Sequence, residues 1–257
     1  MFNKIKVGII GCGFIGTALK NWLQENNPLV DTRVSDPPKG INEDISGCDA
    51  YFIQIHLPTE ADGTQNTQLL ESLVAKCQDN TPIWIRTTIL PGTSAMLSKK
   101  TGKIVYHMPE FLTERTYLDD FKWQPMVFTG APEHIELLKK IFPGKKHIDM
   151  SSEEAEMVKY AHNVFGALKV TYFNCIYDLC QKRGLNYNKV REGVLGSTYI
   201  NAPHTQVPGP DGKLGIGGKC FPKDVRALEK AFRYTPLGRL IEPIMKLNEE
   251  FRGEILL

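Results

Sequence analysis

The sequence predicts an α/β chain. A doubly wound, mostly parallel sheet occupies residues 1–150, and a long helix then opens an all-helical half over residues 151–257. Three observations predict it. Short apolar runs alternate with helical patterns through the first half, which is how βα units place helices on both faces of a parallel sheet. A glycine-rich turn joins the first run to the first helix. Good helix formers then run from about Ser151 to Arg183, far longer than any earlier pattern.

The first apolar run, residues 5–10, meets Gly11-Cys12-Gly13-Phe14-Ile15-Gly16 and a helical pattern through about Glu25. Glycines at this spacing permit a tight turn, close approach of a pyrophosphate and close helix–strand packing, and the helix N-terminus favours phosphate charge. The next strand, Thr32 to Ser35, ends on Asp36, 20 residues beyond Gly16. An acid there accepts hydrogen bonds from ribose hydroxyls and repels a 2′-phosphate, which favours NAD over NADP. Gly11, Gly13, Phe14, Ile15, Gly16 and Asp36 are thus candidate cofactor residues of a Rossmann-type domain. Arg33 is a mild counter-signal, and its place within the strand predicts that it points away.

Further strands are predicted at 51–55, 83–88, 103–106 and 126–129, with helices near 67–78, 93–99 and 132–141. Ligands bind at the carboxyl ends of strands in such sheets. That expectation places Pro58-Thr59, the stretch Thr87-Thr88-Ile89-Leu90-Pro91-Gly92 and the stretch Pro109-Glu110-Phe111-Leu112-Thr113-Glu114 around one cleft.

Ser151-Ser152-Glu153-Glu154 has the pattern of a capping box, and Gly184 provides the stop. An unbroken helix of about 32 residues would be roughly 48 Å long. That length exceeds what the sheet can cover, and a homodimer through this helix is the expectation. A kinked pair of helices broken at Gly166 is the alternative. Lys159 and Asn163 share one helix face, with Asn174 further along the stripe, as solvated surface or as donors to a developing oxyanion. His162 is expected to be packing or surface. A Pro/Gly-rich loop over 202–212 then leads to Gly217-Gly218-Lys219-Cys220-Phe221-Pro222-Lys223-Asp224. There a thiol follows a flexible turn, with a cation and a carboxylate within four residues. Nearby positive charge favours a nucleophilic thiolate, whereas a cysteine can equally be a small buried apolar residue.

Composition narrows the classes. With 257 residues, 42% hydrophobic and a net charge of +2, the chain supports a sizeable core and shows no nucleic-acid footprint. Six cysteines show neither CxxC nor metal-ligand spacing. No signal peptide is recognised and no apolar run nears the roughly 18 residues of a membrane span. The expectation is a soluble, cytoplasmic protein without a metal.

Taken in order, these motifs resemble the UDP-glucose/GDP-mannose dehydrogenase family. They are the glycine fingerprint, Thr87 to Thr93, Pro109 to Leu112, Glu154-Ala155-Glu156 with Lys159-Tyr160 and Asn163, and Gly217-Gly218 with Cys220 to Asp224, together covering about residues 4–252. The resemblance implies NAD-dependent oxidation of a nucleotide-sugar primary alcohol to the acid in two hydride transfers. It implies that Cys220 forms a thiohemiacetal and then a thioester, and that Lys159 and Asn163 stabilise the oxyanion. Asp224 would act with Lys159 on proton transfer and the hydrolytic water, and Glu110 and Thr88 on water and substrate. Glu114, Thr59 and Lys223 would lie toward the cofactor, and the 202–212 loop would line the sugar pocket. Two departures stand out: Cys175 replaces part of a common Asn-Glu pair, and the sequence ends at Leu257, where a nucleotide-binding domain usually begins. That domain is expected to be absent or supplied by a separate chain. The alternatives are a two-electron β-hydroxyacid dehydrogenase, which needs no Cys220, and a non-catalytic NAD-binding remnant.

Overall fold

A computed structural model describes residues 4–60 and 62–253. The chain divides into two compact units, Met1–Leu57 with Asn66–Lys159, and Pro58–Gln65 with Tyr160–Leu257.

The first unit is built on strands β1 (Ile5–Ile10), β2 (Val30–Asp36), β3 (Ile41–Asn42), β4 (Ala50–Ile53), β5 (Pro82–Ile85) and β6 (Ile104–His107), in the order β3-β2-β1-β4-β5-β6. All neighbours are parallel except β3, a two-residue antiparallel edge. Strand alternation sorts the core onto two faces. Val7, Ile9, Phe52 and Trp84 pack with Leu19 and Leu23 of α1 (Phe14–Asn26) and with Leu138 and Ile141 of α5 (Pro132–Ile141). Ile10, Tyr51, Ile53, Ile83 and Ile85 pack with Leu70 and Val74 of α2 (Gln68–Lys76) and Leu97 of α3 (Thr93–Thr101). The chain leaves β1 toward β2 on one side and returns as β4 on the other. The ends of β1 and β4 therefore flank the point where strand order reverses, the ligand crevice of doubly wound sheets.

This confirms the predicted α/β architecture, with four differences. Strands end earlier than the apolar runs suggest, because residues 54–55 and 86–88 turn away as loops. Residues 126–129 do not extend the main sheet: β7 (Met126–Phe128) pairs in parallel with β8 (His147–Asp149) in a separate ladder. β8 went unpredicted because its middle residue, Ile148, is exposed and its neighbours are polar, so no apolar run marks it. The short helix α4 (Tyr117–Trp123) also carries too few residues for a periodic signal.

Helix α6 spans Ser152–Lys182, 31 residues, and runs unbroken through Gly166. The capping box forms as expected, with the Ser151 N–H and Oγ donating to Glu154 Oε2 at 2.8 and 2.7 Å. Gly184 ends the helix at φ +64°, with the Leu185 N–H returning to Cys180 O. The second unit adds α7 (Tyr187–Leu195), α8 (Phe221–Phe232) and α9 (Pro236–Arg252). Phe173, Cys180, Tyr187 and Val207 form a core cluster there.

Candidate active site

In the first unit the glycine turn is closed by its own chemistry. Gly11 takes φ +87°, a conformation that favours glycine. A Cβ on Gly16 would lie 2.1 Å from Gly11 O, so only glycine lets α1 start this close to the turn. A Cβ on Gly13 would meet nothing within 4 Å, which leaves room above the helix N-terminus. Asp36, at the end of β2, accepts the Cys12 N–H through Oδ2 at 2.7 Å, and Lys39 Nζ donates to Cys12 O at 2.6 Å. Phe14 is half-buried with its ring 6.0 Å from Tyr117, Ile15 is half-buried beside it, and Arg33 pairs at the surface with Asp31. Backbone donors, open space and a carboxylate beside the turn fit the pyrophosphate and ribose of a dinucleotide.

Gln54 escaped the sequence reading. Its Nε2 donates to Gly11 O at 2.9 Å and to Ile10 O at 3.2 Å, holding the turn from β4. The signal was a polar residue at the end of a fully apolar strand. Glu156 escaped too. It is fully buried and accepts the N–H groups of Gly92 and Ser94 and the Ser94 hydroxyl, at 2.6, 2.8 and 2.6 Å. A carboxylate on these orphan donors caps α3 and fixes the loop that bears the buried Thr88. Burial outweighs those hydrogen bonds and raises the Glu156 carboxyl above its ordinary value.

Lys159 and Glu110 come together inside the same unit. Lys159 Nζ pairs with Glu110 Oε1 at 2.9 Å and also donates to Glu110 O, and both side chains are buried. Glu110 Oε2 accepts the Leu112 N–H at 2.6 Å. Beneath this pair, buried Arg86 lies over the Phe121 ring at 5.3 Å and lines a cavity of about 20 Å³ with Glu110 and Gln124. Burial pulls Arg86 down to about 10 against the pull of Glu110. His107 is wholly buried and held neutral: burial first, then Lys159 and Arg86, lower it to about 3. Glu114 lies exposed on the turn before α4.

In the second unit, Cys220 is exposed at the N-terminus of α8, and the Asp224 N–H returns to Cys220 O at 3.0 Å. Asp224 is 1% exposed. It accepts Asn163 Nδ2 through Oδ2 at 2.6 Å and pairs with Lys223 through Oδ1. Thr59 Oγ1 donates to Lys223 O at 3.4 Å. A buried carboxylate between an amide and an ammonium is well placed to orient a water one turn from a thiol. The sequence had left Asn163 open between surface and donor, and it is buried. Asn174 is buried rather than surface: its Oδ1 accepts the Gly215 N–H at 2.8 Å and its Nδ2 donates to Val170 O within its helix. His162 is exposed, as expected. Among the described residues no His/Cys/Asp/Glu cluster could hold a metal, and no helix is long and apolar enough to cross a membrane.

Residues 153–250 match the central domain of the UDP-glucose/GDP-mannose dehydrogenase family. Over those residues the chain is similar to that family. A UDP-glucose 6-dehydrogenase from Rickettsia felis is 27% identical over 231 residues, 81% of this chain and 49% of that protein. The chain spans about half the length of the curated relatives it matches. A UDP-glucose dehydrogenase structure from Pyrobaculum islandicum superposes with a TM-score of 0.79 at 22% identity, covering 96% of this chain and 68% of that one. The fold is shared more widely. A 3-hydroxyisobutyrate dehydrogenase from Mycobacterium tuberculosis superposes at 0.68 with 16% identity, covering 98% of this chain and 97% of that one. The first unit has the doubly wound, Rossmann-type sheet order, and its fold is shared with the UDP-glucose dehydrogenase structure.

Proposed function

We propose that this chain is an NAD-dependent nucleotide-sugar dehydrogenase that oxidises a sugar primary alcohol to the acid in two hydride transfers. The observation that supports it over a hydroxyacid dehydrogenase, whose fold is similar, is the placement of Cys220. An exposed thiol at a helix N-terminus sits one turn before a buried carboxylate. Alcohol oxidation to a carbonyl needs no nucleophile. Oxidation of the resulting aldehyde does, because hydride leaves only from a tetrahedral adduct.

Cys220 Sγ adds to the aldehyde carbon, and the thiohemiacetal becomes a thioester when hydride departs. Water then releases the acid and regenerates the thiol. NAD, when bound, accepts the hydride at each oxidation. The Gly11–Gly16 turn and Asp36 would hold it, with Glu114 and Thr59 toward it. Asp224 orients the hydrolytic water, with Lys223 paired to it. Asn163 gives one amide N–H to Asp224 and has a second for the oxyanion. Lys159 carries the same role by the family pattern, with Glu110 and Thr88 positioning water and substrate. A homodimer forms through the exposed face of α6 that bears Phe165, Tyr172 and Leu179.

The test is an NAD-reduction screen across nucleotide sugars and small hydroxyacids with product masses determined. Two NADH per substrate, an acid product and loss of acid formation in Cys220→Ala are expected. One NADH per turnover with the Ala variant equally active establishes the hydroxyacid reading instead.

A further inference from the structure

Gly215-Ile216-Gly217-Gly218-Lys219 carries the chain to Cys220, and glycine-rich backbone is costly to hold in one conformation. Three side chains hold it here. Asn174 Oδ1 accepts the Gly215 N–H at 2.8 Å. Asn248 Oδ1 accepts the Ile216 N–H at 2.5 Å. Arg252 Nη2 donates to Asp211 Oδ2 at 2.7 Å and to Gly215 O at 3.4 Å, tying the preceding loop to the same place. Asn174 and Asn248 are almost wholly buried, and so is the Arg252 side chain. The glycines are required by these contacts. A Cβ on Gly215 would lie 2.5 Å from Asn248 Oδ1, and one on Gly217 would lie 2.1 Å from Arg252 Nη2. Asn248 and Arg252 are four apart on α9, so one helix face delivers both.

The other side of Cys220 is held as well. Phe221 packs against Gly166 and stands 5.1 Å from the His204 ring, while Asp224 binds Asn163. Between the two anchorages lie Gly218 and Lys219.

We propose that Asn174, Asn248 and Arg252 are positioning residues for the Cys220 thiol, fixing the glycine segment so that Sγ stays at the N-terminus of α8. There the helix end favours a thiolate. The consequence for rate rests on the dehydrogenase reading; the consequence for the thiol does not.

The experiment compares Asn248→Leu with Asn248→Asp in the full chain. Asp keeps an acceptor for the Ile216 N–H, and Leu removes it. Cys220 alkylation by iodoacetamide is followed by peptide mass spectrometry, alongside NADH formation and NAD affinity. Asn248→Leu is expected to slow Cys220 alkylation at least threefold and lower kcat at least tenfold with NAD affinity unchanged, and Asn248→Asp to restore both. If Asn248→Leu does not fold, Gly217→Ala displaces Arg252 from the same loop and carries the same expectations. A folded Asn248→Leu, or failing that a folded Gly217→Ala, that is alkylated at the wild-type rate overturns the proposal even if activity is present. Slowed alkylation in a chain that reduces no NAD with any sugar nucleotide leaves the clamp standing and overturns the function instead.

Discussion

Asp36 has two duties that a single substitution confounds. One oxygen anchors the Cys12 N–H, and in the proposed NAD site the other serves the ribose hydroxyls. Asp36→Ala should weaken NAD binding through both losses. Asp36→Asn keeps an acceptor for the turn and removes the charge that repels a 2′-phosphate. It should retain most NAD affinity and lower discrimination against NADP at least tenfold; binding titrations with both dinucleotides check it, and unchanged preference removes Asp36 from the ribose. His107 makes a different prediction. Unfolded, its ring takes up a proton near pH 6.5; folded, it does so only near 3. A base with a depressed folded pKa contributes stability that is complete above pH 6.5 and drains as pH falls toward 3. One proton changes stability by at most about 1.4 kcal/mol per pH unit, or about 2 kcal/mol between pH 7 and 5. Urea midpoints at those pH values should differ less in His107→Phe than in the parent, and equal slopes would falsify the assignment.

At the scale of elements, α6 shows what periodicity conveys and what it hides. Its cap, length and stop were legible because each is a local rule: Ser151 with Glu154, a run of helix formers, then Gly184. Gly166 was ambiguous, since a mid-helix glycine can mark a break or a close contact. The contact decides it: a Cβ there would lie 2.6 Å from Phe221 Cζ. Alanine gains about 1 kcal/mol of helix propensity, whereas overpacking costs roughly 1–3 kcal/mol. Gly166→Ala should therefore melt no higher than the parent, despite the better helix former. It should also lower kcat, because Phe221 follows Cys220 directly; a higher Tm at full activity sinks this account. Site residues divide the same way. Cys220, Lys159 and the glycine turn announce themselves by motif. The roles of Gln54, Glu156, Asn174 and Asn248 do not, because their work is to satisfy backbone groups of segments remote in sequence, and no local pattern records a partner 41 or 62 residues away.

For the whole molecule, the exposed face of α6 carries the remaining argument. Phe165, Tyr172 and Leu179 are 66%, 58% and 52% exposed and stand seven residues apart. A period of seven drifts only about 20° per step around an α-helix, so the three form one stripe. Scattered apolar residues on a surface are ordinary, but an aligned aromatic and aliphatic row is not readily left in water. A two-fold axis across the helix at Tyr172 would pair the row with itself, Tyr172 against the partner's Tyr172 and Phe165 against the partner's Leu179, without asking a second surface to match it. With a net charge of +2, long-range repulsion between copies is small and screened further by salt. Light scattering should therefore report a dimer whose dissociation is little affected by salt. Phe165→Glu or Tyr172→Glu should give a folded monomer, since each would bury an unpaired carboxylate within the apolar row. A monomeric parent chain, or a Glu variant that dimerises as tightly as the parent, removes α6 from the interface.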